Sequence, residues 1–493
     1  MMQVVIPMCG SGERFRAAGY RMPKPLIPVD GKPVIAHLIE KFPKGWPLVF
    51  ICTTGQVRRL RPVLRRLRPK ARIAAIPAHS LGPVHSVLQA GAAVVDELPT
   101  LVNYCDFSFV WDPAHFTDFA RKTRCDGAIV CYRGFHPHSL GGDLYAYCRE
   151  ERGRVLEVRE KGCFTDDKTK EFASSGTYYF RTGRLAKQAF REAVRQGLRV
   201  HGEYYASMPY NILIRKGMDV RVYEIPTFLQ WGTPEDLEDY LYWHKAFKAW
   251  TDERRAPAKG PRLVMPMAGL GRRFTGDGLP PKPLIPVLGR PMYRAAMGLL
   301  PPTGPKPILI TRKGIGVNGA VELPKATEGQ AATVLAAEPF LRPDEPVLVS
   351  ACDHGLLFDP EAWGKLLRSK PDVVVVGQRG YPGARRKPKD YSYIEEKAGR
   401  VQRVSVKEPG PPLVLVGTFY FREARLLFRS IRRLKALDLR VNGELYLDSA
   451  VDICIRDGLD VRSFESDAYL CWGSPDELAE FRYWHRYFRG GPA

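Results

Sequence analysis

The chain has 493 residues, of which 45% are hydrophobic and 26% charged, a composition typical of a folded globular protein and unlike that of a disordered or fibrous chain. No apolar run approaches the roughly 20 residues that span a bilayer, and the first residues enter a strand pattern directly, so we expect a cytoplasmic protein without stable membrane insertion. The formal net charge of +22 indicates acidic partners such as nucleotides, sugar phosphates, nucleic acid or an anionic membrane, or else solvated helix faces.

The first predicted element is a strand, VVIPM, followed by the glycine-rich turn GSGERF and by a lysine between prolines in PKPLIPVDGKP. Gly10 and Gly12 would let backbone N–H groups approach a polyphosphate closely. Arg14 offers a planar guanidinium and Lys24 a compact charge, a combination that suits a nucleoside triphosphate. The turn lacks the third glycine of a dinucleotide fingerprint and the Lys-Ser/Thr pair of a P-loop, so neither motif explains it.

Further along the chain, short β-branched runs alternate with amphipathic helical stretches. This alternation predicts an α/β fold built from crossover units, with a mostly parallel mixed sheet flanked by helices. Ligands of such sheets bind at the carboxyl ends of the strands, where we expect the glycine turn and Asp106, in CDFSFVWDP, to lie. A lone aspartate at a strand end more often caps a helix or turn, so capping is the alternative role for Asp106.

The same landmarks return in the same order in the second half of the chain. LVMPMAGLGRRF and PPKPLIPVLGRP repeat the opening turn, CDHGLLFDP repeats CDFSFVWDP, and WGSPDELAEFRYWHRYF repeats WGTPEDLEDYLYWHKAF. We therefore predict two tandem domains, residues 1–250 and 261–490, joined by a linker at residues 251–260 in the polar TDERRAPAKG. The second copy of the motif residues is Gly269, Gly271, Arg273, Lys282 and Asp353.

Each half resembles the sugar-1-phosphate nucleotidylyltransferases, the NTP-transferase family, and particularly the branch found in capsule and surface-polysaccharide gene sets. The motifs that carry the resemblance are GxGxRF, PKPLIPVxGxP and WG(T/S)P, and the match covers almost the whole chain, once in each half. The resemblance implies two tandem Rossmann-like nucleotidyltransferase domains. It also implies a reaction in which the phosphate of a sugar 1-phosphate attacks the α-phosphorus of an NTP and expels pyrophosphate, with Mg²⁺ as cofactor.

The resemblance implies the same residue roles in both halves. An arginine would hold the leaving β- and γ-phosphates, one lysine would stabilise the α-phosphate in the transition state, and another would contact the sugar phosphate; these catalytic candidates are Arg14, Lys24 and Lys161, and Arg273, Lys282 and Lys407. The Mg²⁺ ligands would be Asp106 and Asp353. The nucleotide-binding candidates are Gly10, Gly12, Gly82, Gly269, Gly271, Gly329 and Gln330. The sugar-binding candidates are Gly176, Glu203, Gly417 and Glu444, of which the glutamates could instead be surface carboxylates.

One position departs from the family pattern in both halves. Hexose-1-phosphate enzymes of the best-known type carry an aspartate two residues before the glycine of the WG(T/S)P turn, as a second metal ligand, whereas Gln230 and Cys471 stand there. Either a single aspartate holds Mg²⁺ together with phosphate oxygens and water, or one half has lost catalysis.

Three functions are compatible with the sequence. The leading hypothesis is an enzyme that makes an NDP-sugar, or a related activated building block, from an NTP and a sugar 1-phosphate. The second makes one half catalytic and the other a non-catalytic nucleotide-sensing or scaffold domain. The third, a basic nucleic-acid or membrane-surface binder, is disfavoured because no helix-turn-helix, zinc finger, RNA-recognition motif or basic amphipathic anchor is evident. The two halves could also pack as an intramolecular pseudo-dimer.

Overall fold

The computed structural model of the protein describes residues 1–250, 260–274, 278–304 and 306–490. The chain divides into two compact units, Met1–Leu241 (unit 1) and Tyr242–Ala493 (unit 2). The predicted linker, residues 251–260, lies outside the described residues except for Gly260.

Unit 1 alternates strands and helices from its first residues. Its strands are β1 (Gln3–Pro7), β2 (Pro28–Val29), β3 (Lys32–Pro33), β4 (Leu48–Thr53), β5 (Arg72–Ile76), β6 (Thr100–Asn103), β7 (Phe107–Val110), β8 (Gly127–Tyr132), β9 (Ala146–Glu151), β10 (Arg154–Glu160), β11 (Phe172–Phe180), β12 (Val220–Glu224) and β13 (Thr227–Gln230). Its α-helices are α1 (Glu13–Ala17), α2 (Val34–Ile39), α3 (Thr54–Leu67), α4 (Pro83–Gln89), α5 (Pro113–Thr123), α6 (Gly183–Arg195), α7 (Pro209–Arg215) and α8 (Pro234–Ala249), the last of which continues past Leu241. Short 3₁₀ turns occupy Lys24–Leu26, Gly91–Ala93, Pro137–Leu140 and Lys168–Lys170.

The central sheet of unit 1 has the strand order β5-β4-β1-β6-β11-β8-β12-β10-β9. The pairs β5–β4, β4–β1, β1–β6 and β8–β12 are parallel. β11 and β10 run antiparallel to their neighbours. All strands of this sheet except β11 and β10 therefore point the same way, which confirms the predicted mixed and mostly parallel α/β sheet.

The core of unit 1 fills both faces of this sheet. Val4 and Ile6 of β1 pack with apolar residues of α2, α3 and α5, whereas Val5 packs with those of α4, α6 and α7. Because successive strand residues point to opposite faces and both faces are covered, the strands read as continuous apolar runs. This packing fixes the points at which β1 and β6 end, and the candidate site lies there.

Unit 2 repeats this arrangement within the described ranges. Its strands are β14 (Arg262–Pro266), β15 (Pro286–Val287), β16 (Arg290–Pro291), β17 (Ile308–Arg312), β18 (Val321–Leu323), β19 (Val347–Ser350), β20 (His354–Leu357), β21 (Val373–Arg379), β22 (Ser392–Lys397), β23 (Arg400–Ser405), β24 (Leu413–Phe421), β25 (Val461–Glu465) and β26 (Ala468–Cys471). Its α-helices are α9 (Met292–Met297), α10 (Gln330–Val334), α11 (Pro360–Arg368), α12 (Pro382–Arg386), α13 (Ala424–Ala436), α14 (Leu447–Arg456) and α15 (Pro475–Arg489). Short 3₁₀ segments lie at Lys282–Leu284, Leu335–Phe340 and Pro388–Asp390.

The main sheet of unit 2 has the order β18-β17-β14-β19-β24-β21-β25-β23-β22, which matches unit 1 strand for strand. The duplication that the sequence predicts is therefore a duplication of the fold. Among the residues that the structure describes, none of the helices combines the length and apolar character needed to cross a bilayer.

Candidate functional site

The glycine-rich turn after β1 forms one wall of a cavity in unit 1. Gly12 has a φ of 68°, in the left-handed region that favours glycine. Gly10 borders open space, since a Cβ placed there would meet no other atom within 4 Å. Both glycines and Arg14 line a cavity of about 540 Å³. A ligand in this cavity can therefore approach the backbone of the turn directly.

Lys24 and Asp106 lie at the polar centre of this cavity. Lys24 Nζ is 2.7 Å from Asp106 Oδ2 and donates a second hydrogen bond to the carbonyl oxygen of Gly232, at 2.6 Å. The two side chains are 20% and 30% exposed, so both reach the cavity. The helix cap of this segment is instead Asp112, whose carboxylate accepts hydrogen bonds from the first backbone N–H groups of α5. Asp106 is thus left available to face a ligand.

Phe15, the phenylalanine of the GxGxRF motif, contacts Lys24. Its buried ring lies with its centroid 5.2 Å from Lys24 Nζ, and the ring of Phe274 lies 5.6 Å from Lys282 Nζ in unit 2. A cation over an aromatic ring gains roughly 0.5–2 kcal/mol, so the ring helps to orient the lysine. Neither phenylalanine was expected to have a role, although the presence of both in the repeated motif was a signal that could have pointed to one.

Gly82 and Glu203 form another wall of the same cavity. Gly82 precedes α4 with a φ of 85°. A Cβ on Gly82 would lie 2.9 Å from both the N and the O of Tyr204 and 3.0 Å from the Cβ of Glu203. Because the two Tyr204 atoms belong to the backbone and have a fixed position, only glycine fits at residue 82.

A second, smaller cavity of about 230 Å³ shares Arg14, Lys24 and Asp106 with the first. Lys161 and Gly176 line this smaller cavity. All candidate residues of unit 1 therefore surround two cavities. The cavities meet at a junction that Arg14, Lys24 and Asp106 line together with Tyr104, Tyr205 and Gly232.

Lys161 and Lys407 have an uncommon backbone conformation at equivalent positions. Their φ angles are 55° and 58°, in the left-handed region that non-glycine residues rarely adopt. Such conformations cost on the order of 1–3 kcal/mol and concentrate at functional sites. The side chains differ, since Lys161 Nζ donates to the hydroxyl of Tyr205 at 2.7 Å whereas Lys407 Nζ donates to the carbonyl oxygen of Asp390 at 2.5 Å.

The smaller cavity is also lined by polar side chains that were not among the candidates from the sequence. Burial raises the pKa of Glu160 to about 7, although the Ser207 hydroxyl donates a hydrogen bond to its carboxylate at 2.5 Å. Burial also raises the pKa of Asp236 to about 6. Both carboxyl groups therefore titrate above their ordinary range, as groups in ligand sites often do.

The oxygen atoms beside this junction fit the Mg²⁺ ion that the resemblance implies. Asp106 directly precedes β7, Gln230 ends β13, and the pairing of these strands places Phe107 opposite Gln230. Gln230 is 5% exposed, and its Oε1 has no hydrogen-bond partner. Carboxylate and amide oxygens are suitable hard ligands for Mg²⁺. Within the described ranges, no cluster of three or more His, Cys, Asp or Glu side chains offers a preassembled metal site.

Unit 2 gathers its own candidates around Lys282 and Asp353. Lys282 Nζ is 2.5 Å from Asp353 Oδ2 and 3.2 Å from the carbonyl oxygen of Gly473. Although burial opposes the shift, the charge of Lys282 holds the pKa of Asp353 well below its usual range. Burial disfavours the charged form of Arg273 and by itself would lower its pKa. The nearby Asp353 carboxylate outweighs this effect and raises the pKa, so this arginine lies near the pair.

The other candidates of unit 2 occupy positions equivalent to those in unit 1. A Cβ on Gly329 would lie 2.6 Å from both the N and the O of Leu445, so glycine is required there as at Gly82. Glu444 forms a β-bridge with Val441, just as Glu203 does with Val200. The remaining candidates are Gly269 beside open space, Gly271 and Gly417 with φ angles of 64° and 71°, and Gln330 as the first residue of α10.

The main chemical difference at the candidate metal position is Cys471, the counterpart of Gln230. Burial raises the pKa of the Cys471 thiol well above its usual value, so the group is a neutral thiol. A thiol is a poor ligand for Mg²⁺, which prefers oxygen. Unit 2 therefore offers one oxygen-bearing side chain fewer at this position than unit 1.

The family model described as the MobA-like NTP transferase domain matches residues 4–164 and 264–439, one segment in each half. These matches cover more than half of the chain. The protein therefore belongs to the MobA-like NTP transferase family, and it is a nucleotidyltransferase with two tandem domains.

The chain is similar to several bifunctional GlmU proteins. The bifunctional protein GlmU of Nitrobacter hamburgensis is 25% identical over 225 residues, which cover 45% of this chain and 47% of that protein. GlmU of Herminiimonas arsenicoxydans is 33% identical over 105 residues, which cover 21% and 22%. The chain therefore spans about half the length of the first relative and about a fifth of the length of the second.

Solved structures with a similar fold include a nucleoside-diphosphate-sugar pyrophosphorylase from Vibrio cholerae. Its sequence is 24% identical, the TM-score is 0.40, and the alignment covers 48% of this chain and 99% of that one. The inositol-1-phosphate CTP transferase from T. maritima is 15% identical with a TM-score of 0.38, covering 48% of this chain and 91% of that one.

Proposed function

We propose that the protein forms an NDP-sugar, or a related NDP-activated building block, and pyrophosphate from an NTP and a sugar 1-phosphate. The observation that carries this proposal is the meeting of two cavities at Arg14, Lys24 and Asp106. The larger cavity, at about 540 Å³, is within the usual range for a small-molecule site. Transfer between two substrates requires that both be held in contact at one point, and the shared residues provide that point.

The residues at the junction match the charge changes of the reaction. An oxygen of the acceptor phosphate attacks the α-phosphorus, the bond from that phosphorus to the oxygen bridging the β-phosphate breaks, and pyrophosphate leaves with the released electron pair. Arg14, an exposed side chain on the larger cavity, would hold the β- and γ-phosphates through its planar guanidinium. Lys24 would stabilise the charge on the α-phosphate oxygens in the transition state.

Lys161, on the smaller cavity, would bind the acceptor phosphate. The resemblance implies that Glu203 accepts a hydrogen bond from a sugar hydroxyl. Glu203 lines the larger cavity together with Gly82, however, and not the smaller cavity that Lys161 lines. Asp106 and Gln230 would hold Mg²⁺, which supplies positive charge over the triphosphate and fixes its orientation. Asp106 also positions the ammonium group of Lys24, so that one carboxylate serves both the metal and the lysine.

We place the product in surface-polysaccharide synthesis and the protein in the cytoplasm. The motif set GxGxRF, PKPLIPVxGxP and WG(T/S)P supports the first assignment, because it resembles the capsule and surface-polysaccharide branch of the family. Nucleotide substrates, which are made and kept in the cytoplasm, support the second.

The test is a screen of pyrophosphate release by the full chain. Each of the four common NTPs would be supplied with Mg²⁺ and with glucose 1-phosphate, mannose 1-phosphate or N-acetylglucosamine 1-phosphate. We expect release with at least one pair, and a loss of at least about 100-fold in kcat in Asp106→Asn. Asp118→Asn, at an exposed ion pair on α5, is the matched control. A folded chain that binds nucleotides yet releases no pyrophosphate with any pair would overturn the proposal.

A second candidate function keeps catalysis in one unit and gives the other a nucleotide-sensing role without transfer. The observation that favours it is the thiol of Cys471 at the place of the Gln230 amide, because this exchange removes an oxygen ligand from unit 2 only.

A further inference from the structure

The smaller cavity of unit 1 presents hydrogen-bonding groups on several sides. Glu160, Ser174 and Ser175 line it, together with Gln230 and Asp236. Asp236 Oδ2 is buried and has no hydrogen-bond partner in the protein. A buried polar atom left unpaired costs about 1–3 kcal/mol, which a ligand with hydroxyl donors would recover. This cavity is therefore suited to an acceptor that carries several hydroxyl groups.

The equivalent strand pairings of the two sheets identify the counterparts of these residues in unit 2. The counterparts in unit 2 are Val406 for Glu160, Leu415 for Ser174, Val416 for Ser175, Phe419 for Tyr178 and Cys471 for Gln230. Each exchange removes side-chain oxygen from these positions, although unit 2 keeps one buried carboxylate, that of Asp448, which accepts a hydrogen bond from the Ser392 hydroxyl at 2.5 Å. The acceptor side of unit 2 is therefore less polar than that of unit 1 at these five positions.

Glu477, the counterpart of Asp236, finds its hydrogen bonds within the protein. The hydroxyl of Ser474 donates to its carboxylate at 2.9 Å, and the hydroxyl of Tyr391 donates to it as well. Tyr391 is the counterpart of Tyr145, which lines the smaller cavity of unit 1. A protein side chain therefore supplies in unit 2 the donor that the Asp236 carboxylate of unit 1 can take from a ligand.

Two further tyrosines surround this contact. The hydroxyl of Tyr381 lies 3.5 Å from the Glu477 carboxylate, and the Tyr381 ring lies 5.7 Å from that of Tyr391 and 4.8 Å from that of Tyr469. Such edge-to-face aromatic pairs add roughly 0.5–1.5 kcal/mol each beyond their buried area. Opening this aromatic cluster for a hydroxylated acceptor would sacrifice these contacts and gain no polar partners.

The groups that hold phosphate are, in contrast, the same in both units. Arg273, Lys282 and Asp353 repeat the junction of unit 1, and Phe274 lies beneath the lysine as Phe15 does. Gly329 keeps the close approach to the backbone that Gly82 shows. Unit 2 has therefore kept the groups proposed to bind the triphosphate and lost most of the side-chain oxygen atoms that line the acceptor side of unit 1.

We infer that unit 2 binds a nucleoside triphosphate but does not transfer the nucleotide to a hydroxylated acceptor, so that transfer to the sugar phosphate takes place in unit 1. This inference rests on the proposed function. It predicts two nucleotide sites for each chain and one acceptor site.

The test uses the full chain and two matched variants, Arg14→Ala and Arg273→Ala. Both arginines occupy equivalent positions and have solvent-exposed side chains. Equilibrium dialysis with each radiolabelled NTP and Mg²⁺ is expected to give two bound nucleotides for each wild-type chain and one for each variant. In the same preparations, product formation is expected to fall at least 100-fold in Arg14→Ala. Dialysis of labelled glucose 1-phosphate, or of the acceptor that supports release, is expected to give one molecule for each wild-type chain.

Two results would overturn the inference. If Arg14→Ala retained about half of the wild-type rate, unit 2 would be transferring nucleotide to the acceptor. If the wild-type chain bound one nucleotide, and Arg273→Ala bound it equally well, unit 2 would not be a nucleotide site. A wild-type chain without product for any substrate pair would overturn the proposed function instead, while the nucleotide count would still decide whether unit 2 binds an NTP.

Discussion

Lys24 Nζ lies 2.7 Å from Asp106 Oδ2 although 82 residues separate them in the chain, and unit 2 repeats this pair with Lys282 and Asp353 at 2.5 Å. In each unit the lysine also bonds the carbonyl oxygen of the glycine in the WG(T/S)P motif. Three motifs that are distant in sequence therefore meet at one ammonium group. This convergence connects the repeated sequence pattern to the proposed site for a charged substrate.

The position of Lys24 predicts a large effect on the chemical step. In Lys24→Ala we expect kcat to fall about 100- to 1,000-fold, because the positive charge at the junction is lost where negative charge develops. Lys32→Ala is the control, since Lys32 pairs with Glu40 on the surface and both side chains are about half exposed. Steady-state kinetics give the kcat of both variants. Equal kcat values in Lys24→Ala and Lys32→Ala would remove Lys24 from the mechanism.

The close approach at Gly82 predicts a loss of stability on adding a single methyl group. In Gly82→Ala the new Cβ would meet the backbone of Tyr204 at 2.9 Å, and the left-handed φ adds strain. We expect the free energy of unfolding to fall by about 2 kcal/mol or more, measured by urea denaturation. Gly142→Ala is the control, because a Cβ there meets no atom within 4 Å. If the two variants were equally stable, the packing described at Gly82 would be wrong.

The buried carboxyl of Glu160 predicts a pH dependence of stability. Its pKa is raised by burial to about 7 from an ordinary value of 4.5, so between these pH values the unfolded chain releases a proton that the folded chain keeps. The free energy of unfolding should therefore fall as pH rises through this window, by up to about 3 kcal/mol, and level off above it. Asp236, whose pKa is raised to about 6, contributes in the same direction.

Comparison of the wild type with Glu160→Gln isolates the contribution of Glu160. Chemical denaturation at pH 5 and pH 8 should show a smaller pH dependence in the variant, since the amide does not titrate. Glu157→Gln, which alters an exposed ion pair on the same strand, should keep the wild-type dependence. Identical pH dependence in the wild type and Glu160→Gln would contradict the assigned burial of this carboxyl group.

The unpaired amide oxygen of Gln230 predicts opposite effects on stability and on metal binding. Gln230→Leu removes a buried acceptor that has no partner, so the free energy of unfolding should stay the same or rise, by up to about 1 kcal/mol. The same change removes an oxygen ligand, so the Mg²⁺ concentration for half-maximal nucleotide binding should rise several-fold. A titration of Mg²⁺ against nucleotide binding measures this. An unchanged Mg²⁺ requirement would exclude Gln230 as a ligand.

The residues that sequence reasoning could assign are those that lie in motifs present twice. Gly10, Arg14, Lys24 and Asp106 each have a second copy in register, and the alternation of strands and helices was enough to predict the α/β class. The two phenylalanines of the GxGxRF motif had the same signal, but their effect on the lysine depends on a distance that only the fold supplies.

Other parts of the site depend on long-range pairing that local patterns do not encode. β11 lies antiparallel between β6 and β8, and this insertion brings Ser174 and Ser175 to the smaller cavity. Glu160 has no acidic counterpart in the second half, so the repeat gave no indication of its role. Lys161 and Gly176 of the acceptor side were predicted from their second copies. Glu160, Ser174 and Ser175 could not be, since they differ between the copies and come together only through the sheet.

The most direct test of the central claim follows the oxygen atoms of the acceptor. The full chain would be supplied with the productive NTP, Mg²⁺ and a sugar 1-phosphate whose non-bridging phosphate oxygens are ¹⁸O, and the products would be resolved by ³¹P NMR and mass spectrometry. We predict an NDP-sugar with ¹⁸O in the bridge between its two phosphorus atoms, unlabelled pyrophosphate, and loss of both products in Lys24→Ala. A labelled pyrophosphate, an NDP-sugar without ¹⁸O in its bridge, or full product formation by Lys24→Ala would contradict nucleotidyl transfer at this junction.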